Sequence, residues 1–273
     1  MSSDLHIVTQ NCFYGRTLKG ILSLISATCA DIYCLQEVTS EAFLQAIRLR
    51  TGYRYLMSSA VKSPLPGVRF RNAVLTNSDC REQGEIIWNR KGRKRSYFAG
   101  RAFWVTVMTG GSLVRIYNCH LNVTGNGMTE RRIMLTGIIR HADTFRGPVI
   151  ICGDMNTVIP DRHRYRFAVS LMHRIPAPQP EIYGRFADLN ERYYFYDTAK
   201  NYGFEETADL SANTWRMPLT QREAFGLKLD WILYRGLVKI RGRTGGWIGD
   251  HRAVIGEFAI RDNQNTKRRE NGN

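Results

Sequence analysis

Short apolar segments with strand-like patterning follow one another through the middle of the chain, and they constrain the fold more than any other feature. They cover residues 72–76, 85–88, 101–108 and 113–121, and Gly110-Gly111 marks the clearest turn between two of them. Strands joined by such short glycine-containing turns pair antiparallel, because a parallel pair needs a long crossover connection. We therefore predict an antiparallel meander in this part of the chain.

Helical patterns alternate with further strands on both sides of the meander. Residues 17–29 and 129–142 have helical spacing of apolar residues, and Ser40 is predicted to cap the start of another helix. Further strands are predicted at residues 5–11, 32–37, 148–153, 227–234 and 252–260. Helices outside largely antiparallel sheets indicate an α/β sandwich rather than a doubly wound parallel sheet.

Composition indicates a globular protein with one domain. Among the 273 residues, no linker rich in Pro, Gly or Ser divides the chain, so we predict a single domain over residues 1–260. Residues 261–273 form a polar, basic tail that we expect to be disordered. The segment from about residue 160 to 220 is dense in Arg and Tyr and is predicted to be irregular, as binding loops often are.

Two features of the sequence bear on location. No apolar stretch reaches the ~20 residues that cross a bilayer, so no transmembrane segment is expected. No secretion signal is recognisable at the N-terminus, and the six cysteines lie mostly in apolar runs without a C-x-x-C pair. We therefore expect reduced, buried thiols and a cytoplasmic protein.

The charge balance points to an anionic partner. Lys and Arg number 39 against 24 Asp and Glu, which gives a formal net charge of +15. Such an excess favours nucleic acid, anionic lipid or a multiply phosphorylated small molecule as partner, although solubility alone could also explain it.

Polar residues of the types that phosphoester chemistry uses stand at the ends of the apolar strands. In chain order they are Asn11, Glu37, His120, Asn122, Asp154, Asn156, Asp230, Asp250 and His251. Each has an ordinary explanation when taken alone, because Asp and Asn are frequent in turns. Together they offer oxygen ligands for a hard cation such as Mg²⁺, a carboxylate for a water molecule, and donors for phosphoryl oxygens.

The order and local context of these residues resemble the endonuclease/exonuclease/phosphatase superfamily, which includes deoxyribonuclease I. The resemblance extends from about residue 5 to residue 260. It is carried by six blocks: Val8-Thr9-Gln10-Asn11, Cys34-Leu35-Gln36-Glu37-Val38, Asn118-Cys119-His120-Leu121-Asn122, Cys152-Gly153-Asp154-Met155-Asn156, Leu229-Asp230-Trp231-Ile232 and Gly249-Asp250-His251. All six stand in the order of the family. Gln10 replaces the usual Trp or Tyr, and Gly249 replaces the usual Ser, but neither change removes a catalytic group.

The resemblance implies a four-layer α/β sandwich, with two packed, largely antiparallel sheets flanked by helices and the site at one edge. It also implies metal-dependent hydrolysis of phosphate esters, with Mg²⁺ as the cofactor and Mn²⁺ as a possible substitute. Glu37 is then the principal metal ligand, assisted by Asn11 and Asp250.

The remaining roles are implied in the same way. The catalytic residues are expected to be His120, Asp154, Asn156, Asp230 and His251. Asp154 resembles the base that activates water, and Asp230 resembles the carboxylate that orients His251. Asn72, Arg101 and Asn122 are similar to positions that contact the substrate phosphate, and Asn122 is expected on the same strand face as His120.

Basic clusters favour nucleic acid, DNA first, as the substrate. Arg93, Lys94 and Arg95 belong to one cluster, and Arg164 to another that alternates with aromatic residues. Such clusters bind phosphate backbones, and the aromatic residues can stack on unpaired bases. The alternative explanation is a solvated, charged hairpin and loop.

Two other functions stay open. One is a phosphatase acting on phosphoinositides or other small phosphorylated molecules, since a histidine at the position of His120 is shared by several classes of this superfamily. Abasic-site endonucleases usually have a tyrosine-based motif there and rank low. The other is a non-catalytic anion-binding module, and no protein partner can be inferred.

Overall fold

The structure, a computed structural model, describes residues 4–62, 67–88, 100–122, 127–157, 191–216 and 227–260. The strands are β1 (Asp4–Asn11), β2 (Ile32–Val38), β3 (Arg54–Met57), β4 (Val61–Lys62), β5 (Arg69–Thr76), β6 (Asp79–Ile87), β7 (Arg101–Thr109), β8 (Ser112–His120), β9 (Val149–Asp154), β10 (Glu205–Glu206), β11 (Asp230–Arg235), β12 (Val238–Ile248) and β13 (His251–Ala259). The helices in the described residues are α1 (Leu18–Thr28), α2 (Glu41–Thr51), α3 (Gly127–Ala142) and α4 (Glu191–Lys200).

The strands form two mixed sheets. The first sheet has seven strands in the order β12-β13-β1-β2-β5-β3, with β4 paired to β5. The second has six strands in the order β10-β11-β9-β8-β7-β6. Only β1 with β2 and β8 with β9 pair in parallel among these neighbours, so both sheets are largely antiparallel, as predicted.

Three apolar clusters show how the layers stack. One cluster lies between the sheets and joins residues such as Ile7 of the first sheet and Ile150 of the second. The outer face of the first sheet packs against α1 and α2, and the outer face of the second packs against α3 and α4. The predicted four-layer α/β sandwich is therefore confirmed.

Alternation along the strands decides what enters the space between the sheets. In β8, Val114 and Ile116 belong to the cluster between the sheets, whereas Tyr117 and Cys119 face the helices. Because successive side chains of a strand point to opposite faces, continuing this alternation directs Asn118 and His120 inward. The inward positions are thus apolar over most of β8 and polar at its C-terminal end.

Several elements differ from the sequence-based expectations. The sequence patterns do not predict β12, whose residues 238–241 are all exposed, so the strand shows no apolar alternation. The segment 160–220 is predicted to be irregular, but α4 and β10 lie within it; Phe195 and Ala199 of α4 are buried at helical spacing. The predicted Ser40 cap is present, with its hydroxyl accepting a hydrogen bond from the backbone N–H of Phe43.

Other expectations concern features beyond these elements. Residues 261–273 lie outside the described residues, and the single domain over residues 1–260 stays a prediction. No helix in the described part of the chain is long and apolar enough to cross a membrane. Cys12, Cys34, Cys119 and Cys152 are buried thiols as expected, whereas Cys29 is exposed.

A substitution at Gly153 tests how closely β8 and β9 approach each other. Its φ is 129°, and an added Cβ would lie 2.0 Å from the carbonyl oxygen of Cys119. We expect Gly153→Ala to lower the free energy of unfolding by more than about 3 kcal/mol, because backbone strain and a backbone clash add together. Gly52→Ala is the matched control, since Gly52 also has a positive φ of 79° but open space around it, and should cost about 1–2 kcal/mol. Equal losses in urea unfolding would contradict this description of the strand contact.

Candidate active site

The polar ends of both sheets meet at one edge of the sandwich. Asn11 of the first sheet donates a hydrogen bond from Nδ2 to Oδ2 of Asp154 in the second (2.9 Å). Asp230 lies directly opposite Asp154 in the ladder of β11 with β9, and His120 lies beside Asp154 in that of β8 with β9. His251 completes the group through a 2.8 Å contact between its Nδ1 and Oδ2 of Asp230.

Glu37 reaches this group because of a β-bulge. Regular alternation would send Glu37 to the helix-covered face that holds Tyr33 and Leu35. The register of β2 against β5 shifts between Leu35 and Val38, and Glu37 has a φ of 57°. A bulge re-aims a side chain in this way, and here it brings Oε1 of Glu37 to 3.9 Å from Nε2 of His120.

Asp154 is a buried carboxylate with fixed partners. Its Oδ1 accepts a hydrogen bond from the backbone N–H of Asn156 (3.0 Å), and its Oδ2 accepts the one from Asn11. Burial raises the pKa of Asp154, while the cationic His251 acts in the opposite direction. Asn156 has a φ of 51°, and its own Nδ2 donates to the carbonyl oxygen of Leu121 (2.9 Å). The turn after β9 is therefore fixed at both the carboxylate and the amide.

The two histidines have opposite electrostatic environments. Burial alone would lower the pKa of His251, but Asp230, followed by Asp154 and Asp250, raises it to about 10. Burial lowers the pKa of His120 to about 3, and the cations of His251 and Arg101 act in the same direction. At neutral pH the site therefore holds one imidazolium, at His251, and one neutral imidazole, at His120.

Glu37 and Asp250 have the chemistry that a divalent cation needs. Burial raises the pKa of both carboxyl groups, and the charge of Asp250 raises that of Glu37 further. Oδ1 of Asp250 is buried without a hydrogen-bond partner in the described residues. The oxygen of Asn11 already accepts a hydrogen bond from the N–H of Phe13 (2.9 Å), which leaves it one further lone pair. Hard cations prefer such oxygen ligands, so the residues fit Mg²⁺.

A second group of potential ligands lies beside the first. One ligand atom each from Asp154, Asp230 and His251 falls within 4.8 Å of the others. In this group, however, the imidazole Nδ1 and Oδ2 of Asp230 already bind each other. Carboxylates at Glu37 and Asp250 therefore suit a hard cation better than this nitrogen-containing group.

Arg101 lies next to His120 across the β7–β8 ladder and is nearly fully buried. One guanidinium nitrogen, Nη1, donates to Oγ of Ser58 (2.7 Å) and to the carbonyl oxygen of Ser59. Its Nε and Nη2 have no hydrogen-bond partner in the described residues. Burial lowers the pKa of Arg101, and Glu85, 4.0 Å away, raises it. These two nitrogens are suited to the oxygens of a phosphate.

Asn72 and Asn122 are placed differently from Arg101. Nδ2 of Asn72 donates to the backbone oxygen of Asn118 (2.8 Å), so this amide lies beneath the site in the space between the sheets. Asn122 follows the end of β8 rather than sharing a strand face with His120, which corrects the sequence-based expectation. Its Nδ2 donates to Oε2 of Glu130 (2.6 Å). Contact of either residue with substrate stays a prediction.

The expected nucleic-acid-binding residues Arg93, Lys94, Arg95 and Arg164 lie outside the described residues.

The structure shows a different cationic cluster that the sequence patterns do not predict. Trp247 of β12 has the guanidinium carbons of Arg216 and Arg252 at 4.8 Å and 4.4 Å from its ring centroid. Nε and Nη2 of Arg216 both donate to the carbonyl oxygen of Gly249, next to Asp250. No local signal marks this cluster, because its members meet only through the β12–β13 hairpin and residues 214–216.

The fold and the family of this chain indicate a hydrolase of phosphoester bonds. The sequence matches the model of the Endonuclease/Exonuclease/phosphatase family over residues 8–253, and the chain belongs to this family. The family is generally dependent on divalent metals. A comparison with curated proteins gives no significant match.

Solved structures with the same fold have little sequence identity to this chain. The structure is similar to TDP2 from C. elegans, with 15% identity, a TM-score of 0.64 and coverage of 94% of this chain and 75% of that chain. An endonuclease/exonuclease/phosphatase from Bacteroides vulgatus gives 13% identity, a TM-score of 0.68 and coverage of 95% and 100%. A family protein from Leptotrichia buccalis gives 16% identity, a TM-score of 0.64 and coverage of 93% and 99%. These likenesses show the fold alone.

Proposed function

We propose that this chain is a Mg²⁺-dependent nuclease or phosphodiesterase that hydrolyses phosphoester bonds in nucleic acid, with DNA as the first substrate to test. The position of Asp154 carries this proposal. Its Oδ2 lies 3.8 Å from Nε2 of His120 and 3.8 Å from Nε2 of His251. These distances exceed those of direct hydrogen bonds, and a water molecule or a substrate oxygen beside the line that joins the two atoms would hydrogen-bond to both groups.

Each residue of the site has a separate role in the proposed hydrolysis. Asp154 orients the attacking water and accepts its proton as the new P–O bond forms and the bond to the leaving oxygen breaks. His251, held as a cation by Asp230, donates a hydrogen bond to a phosphoryl oxygen on which negative charge develops. His120 contributes a neutral imidazole on the other side of Asp154, and Asn156 keeps the carboxylate in place.

Glu37 and Asp250, with Asn11, would hold Mg²⁺, and the same oxygen ligands would accept Mn²⁺. The cation, when bound, supplies Lewis-acid stabilisation of the phosphoryl oxygens. Arg101 would contact the same phosphate from the side of His120, through the two nitrogens that have no partner in the described residues.

The cluster of Arg216, Trp247 and Arg252 favours a polyanionic substrate over a small monophosphate. Two guanidinium groups are stacked on one half-buried indole, and the backbone N–H of Arg216 donates to the carbonyl oxygen of Asp250 (2.9 Å). Positive charge is thus fixed immediately beside the proposed metal ligands, where a phosphate adjacent to the scissile one would bind. A nucleic-acid strand provides such neighbouring phosphates.

Asp154→Asn should lower kcat by roughly 10²–10⁴-fold and leave substrate binding intact, because the water loses its base. The measurement is nicking of supercoiled plasmid DNA with Mg²⁺, with and without EDTA. Asp197→Asn is the matched control, since Asp197 is exposed on α4. Undiminished turnover in Asp154→Asn would overturn the assignment. Phosphate release from phosphoinositides without nicking of DNA would favour the phosphatase, and Mg²⁺ binding without turnover of either would favour an anion-binding module.

Arg216→Gln should raise KM for an oligonucleotide with little change in kcat. It should also reduce the slope of log affinity against log salt by about 0.7–0.9, because the guanidinium would neutralise one phosphate. Arg216→Lys separates charge from shape, because it keeps the charge and should retain most of the salt slope. Arg146→Gln removes an exposed charge that follows α3, beside the second sheet, and serves as the control. A salt slope in Arg216→Gln equal to that of wild type would show that the cluster does not contact the substrate.

A further inference from the structure

The bulge that aims Glu37 into the site interrupts the ladder of the first sheet. At this point Gln36 and Glu37 of β2 together face the single residue Asn72 of β5. An extra residue in one strand breaks the regular exchange of hydrogen bonds, so nearby backbone carbonyls need other donors. Leu35 and Ala73 are paired in this ladder and lie directly beside this position, on one side of it.

Asn118 of the second sheet supplies these donors. Its Nδ2 donates to the carbonyl oxygens of Leu35 (3.0 Å) and Ala73 (2.9 Å). Its Oδ1 accepts a hydrogen bond from Nε2 of Gln36 (2.7 Å), and its backbone oxygen accepts one from Nδ2 of Asn72 (2.8 Å). One residue of β8 therefore contacts both strands at the bulge, through Leu35 and Gln36 of β2 and Asn72 and Ala73 of β5.

The hydrogen bonds of Asn118 are directional, unlike the apolar packing that surrounds them. The side chains of Asn118 and Gln36 are fully buried, directly above the apolar cluster between the sheets. Apolar packing holds two sheets together but does not specify their relative position closely. The four hydrogen bonds of Asn118 specify that position, because a shift of one sheet relative to the other would leave buried polar groups unpaired.

The site depends on this alignment because its residues come from both sheets. Asn118 precedes His120 by two residues on the same strand face, while the bulge that it contacts carries Glu37. A displacement of the bulge would therefore change the distance between Glu37 and both His120 and Asp154.

We propose that Asn118 is a positioning residue that holds the Gln36–Glu37 bulge from the opposite sheet and thereby places Glu37 in the active site. The catalytic consequence rests on the function proposed above. The placement of Glu37 does not rest on that function, because it can be measured without turnover. Oε2 of Glu37 accepts a hydrogen bond from the backbone N–H of Tyr14 (3.0 Å), so exchange of this amide reports the position of the carboxylate.

The test compares Asn118→Ser with Ile116→Ala. Ile116 lies two residues earlier on the same inward face of β8 and is fully buried, so its truncation weakens the same layer without touching the bulge. Both variants are compared at conditions where urea unfolding shows them fully folded. Three quantities are measured: the exchange rate of the Tyr14 amide by NMR, the affinity for Mn²⁺ by calorimetry, and kcat on an oligonucleotide.

Asn118→Ser should accelerate exchange of the Tyr14 amide by at least about tenfold, because the carboxylate that protects it moves. It should weaken Mn²⁺ binding and lower kcat by about 10–100-fold each, as loss of residues that orient ligands does. Ile116→Ala should lower the urea midpoint but leave all three quantities near the wild-type values.

Equal behaviour of the two variants in Tyr14 exchange and Mn²⁺ affinity would overturn the proposal, since Asn118 would then act through stability alone. If Asn118→Ser does not fold, Gln36→Met removes the hydrogen bond to Asn118, together with those to Thr9 and the carbonyl oxygen of Cys34, and should change the same quantities in the same direction. Unchanged values would overturn the proposal. A wild-type protein that protects the Tyr14 amide and binds Mn²⁺ without cleaving any phosphoester would overturn the proposed function. The amide exchange and Mn²⁺ affinity of the variants would still decide the role of Asn118.

Discussion

The hydrogen bond between Asn11 and Asp154 joins the two sheets at the edge of the sandwich where the candidate site lies. The site depends on this junction, because its residues come from both sheets. The inward faces of both sheets are apolar along most of their length, so they pack against each other and exclude water. At one end the same inward positions become amides, carboxylates and imidazoles, as at Asn118 and His120 of β8. The space between the sheets is therefore both the core and, at its edge, the candidate active site.

Strain and buried charge are concentrated at that edge. Glu37 and Asn156 have positive φ values, as do the consecutive residues Phe13 and Tyr14 near the carboxylate of Glu37. Each such residue costs on the order of 1–3 kcal/mol and persists only where the surroundings determine it. Buried carboxylates add a desolvation cost, seen as a raised pKa at Glu37, Asp154 and Asp250. The cation of His251 offsets part of this cost, and a bound divalent cation would offset more.

Much of the fold and the general content of the site could be predicted from the sequence, because both follow from local patterns. Apolar strands with glycine turns indicate the sandwich, and polar residues at strand ends indicate Asp154 and its neighbours. The edge strand β12 is exposed over residues 238–241, so only its pairing with β13 makes it a strand. Asn118 stands within a recognised block, yet its partners Leu35 and Ala73 are 83 and 45 residues away in sequence. Contacts of that separation exist only once the sheets have packed, and local patterning does not report them.

The central proposal is that Glu37, aimed by a bulge, holds the catalytic metal together with Asp250, and Mn²⁺ binding followed by calorimetry tests it most directly. The comparison needs wild type, Glu37→Gln and Asp230→Asn, because Asp230 belongs to the neighbouring group with Asp154 and His251. We expect Glu37→Gln to lose the Mn²⁺ site, whereas Asp230→Asn should keep it. Retention of Mn²⁺ by Glu37→Gln with its loss in Asp230→Asn would place the metal in the other group and contradict the claim.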